Sequence, residues 1–185
     1  MGGNHRSKPR EMEPIKNKAD LERWKRELAK QSDRDYMLGL LLLNTGMRLS
    51  EALQLRVRDV RGREKVRIKA DQEFVYPLHV AVRKLLAAYT SNMDQDDWLF
   101  SSRKGGGPLQ RDQASKLLKG CAQRAGIPSF GVHSLRKTFG YHYYQASGDV
   151  EFLRKLFRQS SQSVTLSYIG VIGEGADSLD DTFSL

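Results

Sequence analysis

The chain predicts an α+β fold, mostly helical with one small antiparallel β-sheet. Two observations carry this expectation. Apolar residues recur at helical spacing along most of the 185 residues, and strict apolar–polar alternation is confined to one stretch near the middle. A chain of this length accommodates one domain with a sizeable core, whereas two would be cramped. The expected division is a flexible leader over residues 1–17, one domain over 18–173 and an acidic tail over 174–185.

The elements follow in order. Residues 1–16 read as a loosely attached leader, rich in charge and holding Pro9 and Pro14. A helix is expected from Ala19 to Gln31, with Leu21, Trp24 and Leu28 on one face. The next, from Asp33 to Asn44, is too dense in leucine for a surface helix and reads as the centre of the core. Thr45-Gly46 breaks it, and Ser50 to Leu55 starts a third helix. The period then changes to two. Lys65-Val66-Arg67-Ile68-Lys69 and Glu73-Phe74-Val75-Tyr76 form a hairpin through Ala70-Asp71-Gln72, and Pro77 ends it. A third short strand is expected at Trp98-Leu99-Phe100. Helices follow over Val80–Tyr89, Arg111–Ala125, Ser134–Ser147 and Asp149–Phe157, with Arg103 to Pro108 as a flexible basic loop.

The charge is lopsided: 31 Lys+Arg against 22 Asp+Glu, a net +9. Residues 174–185 hold four of the acids and no base, so the remaining body carries 31 bases and 18 acids, a net +13. Such a body suits a polyanion, and nucleic acid is the usual one. Cys121 is the sole cysteine, which excludes a disulfide framework and a cysteine metal cluster. It reads as a small buried residue on a helix. No P-loop motif, metal-ligand cluster or cofactor motif stands out, so neither metal nor cofactor is expected. The polar start lacks an apolar signal region, and no apolar run is long enough to cross a membrane. The expected compartment is the cytoplasm.

The chemistry lies in two arginine motifs and what surrounds them. Thr45-Gly46-Met47-Arg48-Leu49-Ser50-Glu51 comes first, and His133-Ser134-Leu135-Arg136 second. Lys69 sits in the hairpin between them, and Tyr168 lies downstream. Phosphoryl transfer builds negative charge on non-bridging oxygens, and the planar fork of a guanidinium matches two such oxygens. Arg48 and Arg136 are the candidates for that clamp. His133 stands three residues before Arg136, near the start of one helix, where an anion is also favoured. Tyr168 is the candidate nucleophile. A phenol ionises near pH 10, so it needs a base and a positive environment.

These motifs, in this order, resemble the catalytic domain of the tyrosine recombinases, the phage integrase family. The resemblance runs from about Lys18 to Tyr168 and implies that family's mostly helical catalytic fold. It implies that Arg48 and Arg136 clamp the scissile phosphate, and that Lys69, eight residues before Pro77, protonates the leaving 5′-oxygen. His133 then transfers a proton at the tyrosine or bonds the phosphate. Tyr168 forms a 3′-phosphotyrosyl bond that a partner 5′-hydroxyl later reverses. Glu51 braces Arg48, Asp59 is structural, and His142 packs. The implied partners are double-stranded DNA and further copies of the chain assembled on it as a dimer or tetramer, with residues 174–185 expected to dock on a neighbour or, without DNA, to fold back on their own domain.

Two departures accompany the resemblance. Arg158-Gln159 stands where most members have Gly-His, with Gln159 nine residues before Tyr168. Glutamine bonds a phosphate oxygen but carries no proton at neutral pH. That leaves open a DNA-binding regulator that kept the fold with impaired catalysis, beside the type IB topoisomerases with their related chemistry. The second departure is the short N-terminal side, where integrases usually place a core-binding domain. An excised fragment and a naturally short recombinase both fit, and the initiating Met1 favours the second.

Overall fold

The structure is a computed structural model that describes residues 12–68 and 74–172. Helix α1 (Lys18–Ala29) starts where the Asn17 side chain accepts the Ala19 N–H, and it buries Trp24 and Leu28. Helix α2 (Asp33–Thr45) is capped by Ser32 and buries almost every residue from Met37 to Leu43. It is the central rod, packed against α1, α4 (Val80–Tyr89) and α6 (Ser134–Ser147). Gly39 permits the α1 contact, because a Cβ there would meet a Leu28 methyl at 2.1 Å. The Trp24 indole N–H donates to the Leu118 carbonyl of α5 (Arg111–Arg124) at 3.3 Å and ties that helix to the same layer.

A four-residue helix α3 (Leu49–Ala52) and a 3-10 turn (Val57–Asp59) lead into the hairpin. Strands β1 (Lys65–Ile68) and β2 (Phe74–Pro77) pair antiparallel, with Val66 opposite Tyr76 and Ile68 opposite Phe74. Val66 and Tyr76 turn inward and are buried, as the two-residue period requires. The chain ends its described course with α7 (Val150–Phe157) and α8 (Gln162–Tyr168). Gly140 lets α6 approach both, since a Cβ there would crowd Phe157 and Ile169 at 2.7 and 2.5 Å.

Three expectations are corrected. Trp98–Phe100 is not a strand: Trp98 makes an isolated bridge with Arg56, beside which Val57 already begins the 3-10 turn and curls the partner backbone away. The leader is attached from Met12 on. Ile15 is buried, its N–H donates to Thr138 Oγ1 at 2.8 Å, and Lys16 Nζ donates to the Gly170 carbonyl at 2.6 Å. The third helix starts at Leu49 but stops after four residues, at Ala52, short of Leu55. Helix α8 was not anticipated, and it carries Tyr168. Among the described residues no helix is long and apolar enough to cross a membrane.

Candidate active site

The site forms where the ends of α2 and α7 meet the beginnings of α3 and α6. Gly46, in the left-handed region (φ 66), ends α2 and turns the chain so that Arg48 immediately precedes α3. The first N–H groups of a helix lack internal partners. Here Glu51 reaches back from the first turn, and its Oε2 accepts the Arg48 backbone N–H at 2.8 Å. Its Oε1 lies 3.2 Å from Arg48 Nη1. The same carboxylate accepts the Tyr76 hydroxyl at 2.7 Å. One anion therefore fixes the arginine, the start of α3 and the inner face of the hairpin.

Arg136, the third residue of α6, is buried. Its Nη1 donates to the Gly46 carbonyl, and its Nη2 to the Leu156 carbonyl at 3.3 Å. These carbonyls belong to the C-terminal ends of α2 and α7, where the helix dipole favours a cation. The guanidinium also lies over the Phe157 ring, 4.4 Å from its centroid. A buried charge is tolerated only when so held.

Tyr168 is the last residue of α8, a helix capped by Ser161, whose Oγ accepts the Val164 N–H at 3.1 Å. Its ring meets Phe157 edge-on at 5.6 Å, and the Lys137 ammonium is 5.3 Å from its centroid. Burial pushes the phenol above its ordinary range. Arg136 and Arg48 oppose that by their charge, and Arg136 by a hydrogen bond as well. The hydroxyl is therefore protonated at neutral pH and lies within the field of both guanidiniums.

His133 stands at the N-terminal end of α6, where its side chain makes no capping hydrogen bond. Partial burial lowers its pKa, and the neighbouring Arg136, Arg111, Arg48 and Lys137 lower it further. The imidazole is neutral at pH 7 and free to take a proton. Gln159 follows α7, and its backbone carbonyl accepts from Arg154 Nη1 at 3.2 Å. Its side-chain Oε1 is buried with no hydrogen-bond partner. Lys69 lies outside the described residues, one position beyond β1.

Four of the six candidate residues thus interact around one centre: Arg48, Arg136, His133 and Tyr168. The bystanders behave as expected. Asp59 accepts the Arg56 N–H at 2.8 Å, His142 Nε2 pairs with the Ile15 carbonyl at 2.9 Å, and Cys121 is buried with its thiol pushed up. Sequence reasoning placed Tyr76 in a strand but missed its bond to Glu51. It also missed Phe157, which touches both Arg136 and Tyr168, and Lys137 against the tyrosine ring.

Residues 13–172 match the model of the phage integrase family. The chain belongs to that family. It is 31% identical over 163 residues to the probable integrase/recombinase YoeC of Bacillus subtilis (strain 168), covering 86% of this chain and 90% of that one. It is 34% identical over 160 residues to the tyrosine recombinase XerD of Corynebacterium glutamicum, covering 81% of this chain but only 51% of the relative. The chain therefore spans nearly all of the first relative and about half of the second. Among solved structures, the XerA recombinase superposes with a TM-score of 0.75 at 22% identity, over 90% of this chain and 62% of that one, which shows the shared fold. Family and fold agree with what the two arginine motifs implied. An integrase-family member is a tyrosine-type DNA strand transferase, a site-specific recombinase.

Proposed function

We propose that this integrase-family chain cuts and rejoins double-stranded DNA through Tyr168, in the cytoplasm, as a dimer or tetramer assembled on its site. One observation carries the reading: the Tyr168 hydroxyl lies in the field of Arg136 and Arg48, the first held by two helix ends and the second by Glu51. Such prepositioned donors stabilise charge that develops in a transition state.

Tyr168 Oη attacks the scissile phosphorus while neutral His133 takes the phenolic proton. The bond from phosphorus to the 5′-oxygen breaks, and Lys69 gives that oxygen its proton. Arg48, Arg136 and the Gln159 amide bind the non-bridging oxygens. The product is a 3′-phosphotyrosyl bond and a free 5′-hydroxyl. Attack by a partner strand's 5′-hydroxyl reverses the step, and the energy of the phosphodiester is conserved throughout.

The test uses a pool of nicked duplexes of randomised sequence, in which the short strand beyond the nick diffuses away after cleavage and traps the intermediate. Wild-type protein yields a protein–DNA band that survives denaturation, and Tyr168→Phe yields none while still retaining DNA in a native gel. A surviving band from Tyr168→Phe would place the nucleophile elsewhere.

A further inference from the structure

The residue before Gln159 is the most unusual in the fold. Arg158 closes α7 in the left-handed region, φ 59 and ψ 49. A side chain is disfavoured there, and most family members, by the resemblance above, have glycine at this position. Ser129 is the only other non-glycine residue with positive φ among those described. The Arg158 backbone directs a guanidinium into the site. It stacks on the Phe74 ring of β2, and its Nη2 stands 3.9 Å from Glu51 Oε1. That separation is too long for a hydrogen bond, and among the described residues the guanidinium makes none.

Glu51 is already committed to Arg48, through both its backbone and its Nη1, and to Tyr76. One carboxylate therefore faces the guanidiniums of both Arg48 and Arg158, and partial burial, with the charges of Arg48 and Arg136, lowers the pKa of Arg158 while Glu51 opposes that. Among the described residues Arg158, with 35% of its side chain exposed, has the looser hold on Glu51. Next to it, the buried Gln159 Oε1 has no partner. A half-turn of that amide presents its NH₂, a neutral donor, at the same place. Glutamine supplies a hydrogen bond there but no charge.

We propose that Arg158 is a third phosphate-binding guanidinium of the site, supplying the positive charge that Gln159 does not. This rests on the strand-transfer reading above. On arrival of the scissile phosphate, Arg158 gives up its long contact to Glu51, stays stacked on Phe74 and donates to a non-bridging oxygen. Glu51 is then left to Arg48 and Tyr76. The changes at positions 158 and 159 are one paired departure, in which a cationic side chain at 158 replaces the proton-bearing ring at 159.

Two measurements test this. The first is independent of catalysis: thermal unfolding of the DNA-free protein is followed as inorganic phosphate is added. Phosphate raises the midpoint of the wild type and of Arg158→Lys, and raises that of Arg158→Gln clearly less. An equal response from Arg158→Gln overturns the proposal. The second uses nicked DNA on which the wild type forms the covalent adduct. Arg158→Gln slows adduct formation by about 10-fold or more, near the lower end for loss of one charge-stabilising donor, and Arg158→Lys restores much of it. A methylphosphonate at the scissile position lacks the charge that Arg158 neutralises, so the gap between Arg158→Gln and wild type narrows on that substrate. A merely structural residue would show the same gap on both substrates, and that result overturns the proposal. Absence of any adduct from the wild type would refute the strand-transfer reading, while the phosphate titration would still decide whether Arg158 binds the anion.

Discussion

Glu51 is the joint of the site, and Glu51→Ala is the perturbation that measures it. The side chain is 12% exposed, and the two shorter of the three hydrogen bonds it accepts come from the Arg48 N–H at 2.8 Å and the Tyr76 hydroxyl at 2.7 Å. Hydrogen bonds to a charged group contribute roughly 1.5–3 kcal/mol each. Two of them put the cost of Glu51→Ala at about 3–5 kcal/mol. A domain of this kind has a total stability of roughly 5–15 kcal/mol, so the effect is large. Tyr76→Phe removes one of the two bonds and costs about 1.5–3 kcal/mol. Urea unfolding followed by circular dichroism reads both. With a slope of roughly 2 kcal/mol per molar urea, the Glu51→Ala midpoint falls by about 2 M. The double variant is less destabilised than the sum of the two, with a coupling of about 1 kcal/mol or more, because both changes remove the same bond. A Glu51→Ala cost below about 1 kcal/mol, or strict additivity, would refute the bracing role.

Other predictions follow from the same geometry. Arg48→Ala slows adduct formation on the order of 10²-fold with a modest loss of stability, whereas Arg136→Ala does both, because buried Arg136 holds the Gly46 and Leu156 carbonyls; equal melting temperatures for the two variants would contradict this. His133 titrates below its ordinary 6.5 in the DNA-free protein, observable by NMR of its ring protons. Since the unfolded chain then binds the proton more readily, His133 favours the folded state least at low pH, and stability falls as pH drops through the usual histidine range. A His133 pKa above 6.5 would contradict the cationic surroundings assigned to it. DNA affinity in fluorescence anisotropy falls steeply with salt, as counterion release by a body near +13 requires, and a flat response would remove the electrostatic basis of binding.

The parts legible in the sequence were those written in local patterns. The leucine-dense α2, the alternating hairpin and the break at Gly46 each follow from spacing and turn chemistry within a few residues. The arginines and Tyr168 were legible because their motifs carry chemistry. The rest depends on distant contacts. Tyr76 reads as a strand aromatic until the fold brings its hydroxyl to Glu51, 25 positions away. Ile15 reads as part of a loose leader until Thr138 accepts its N–H across 123 positions. Helix α8 is short and rich in serine and threonine, which suit caps and turns as well as helix, so its pattern gave no periodic signal. Trp98 had strand composition, but its partner segment turns away after one bridge, and composition does not report what a neighbouring segment does.

The central claim is that Tyr168 becomes covalently joined to DNA, and peptide mapping of the trapped adduct tests it most directly. No lysine or arginine follows Arg158, so trypsin releases residues 159–185 as one peptide in which Tyr168 is the sole tyrosine. After nuclease treatment of the adduct, fragmentation by mass spectrometry should place a 3′-phosphonucleotide on Tyr168 of that peptide. An unmodified 159–185 peptide, with the nucleotide carried on any other fragment, would contradict the account.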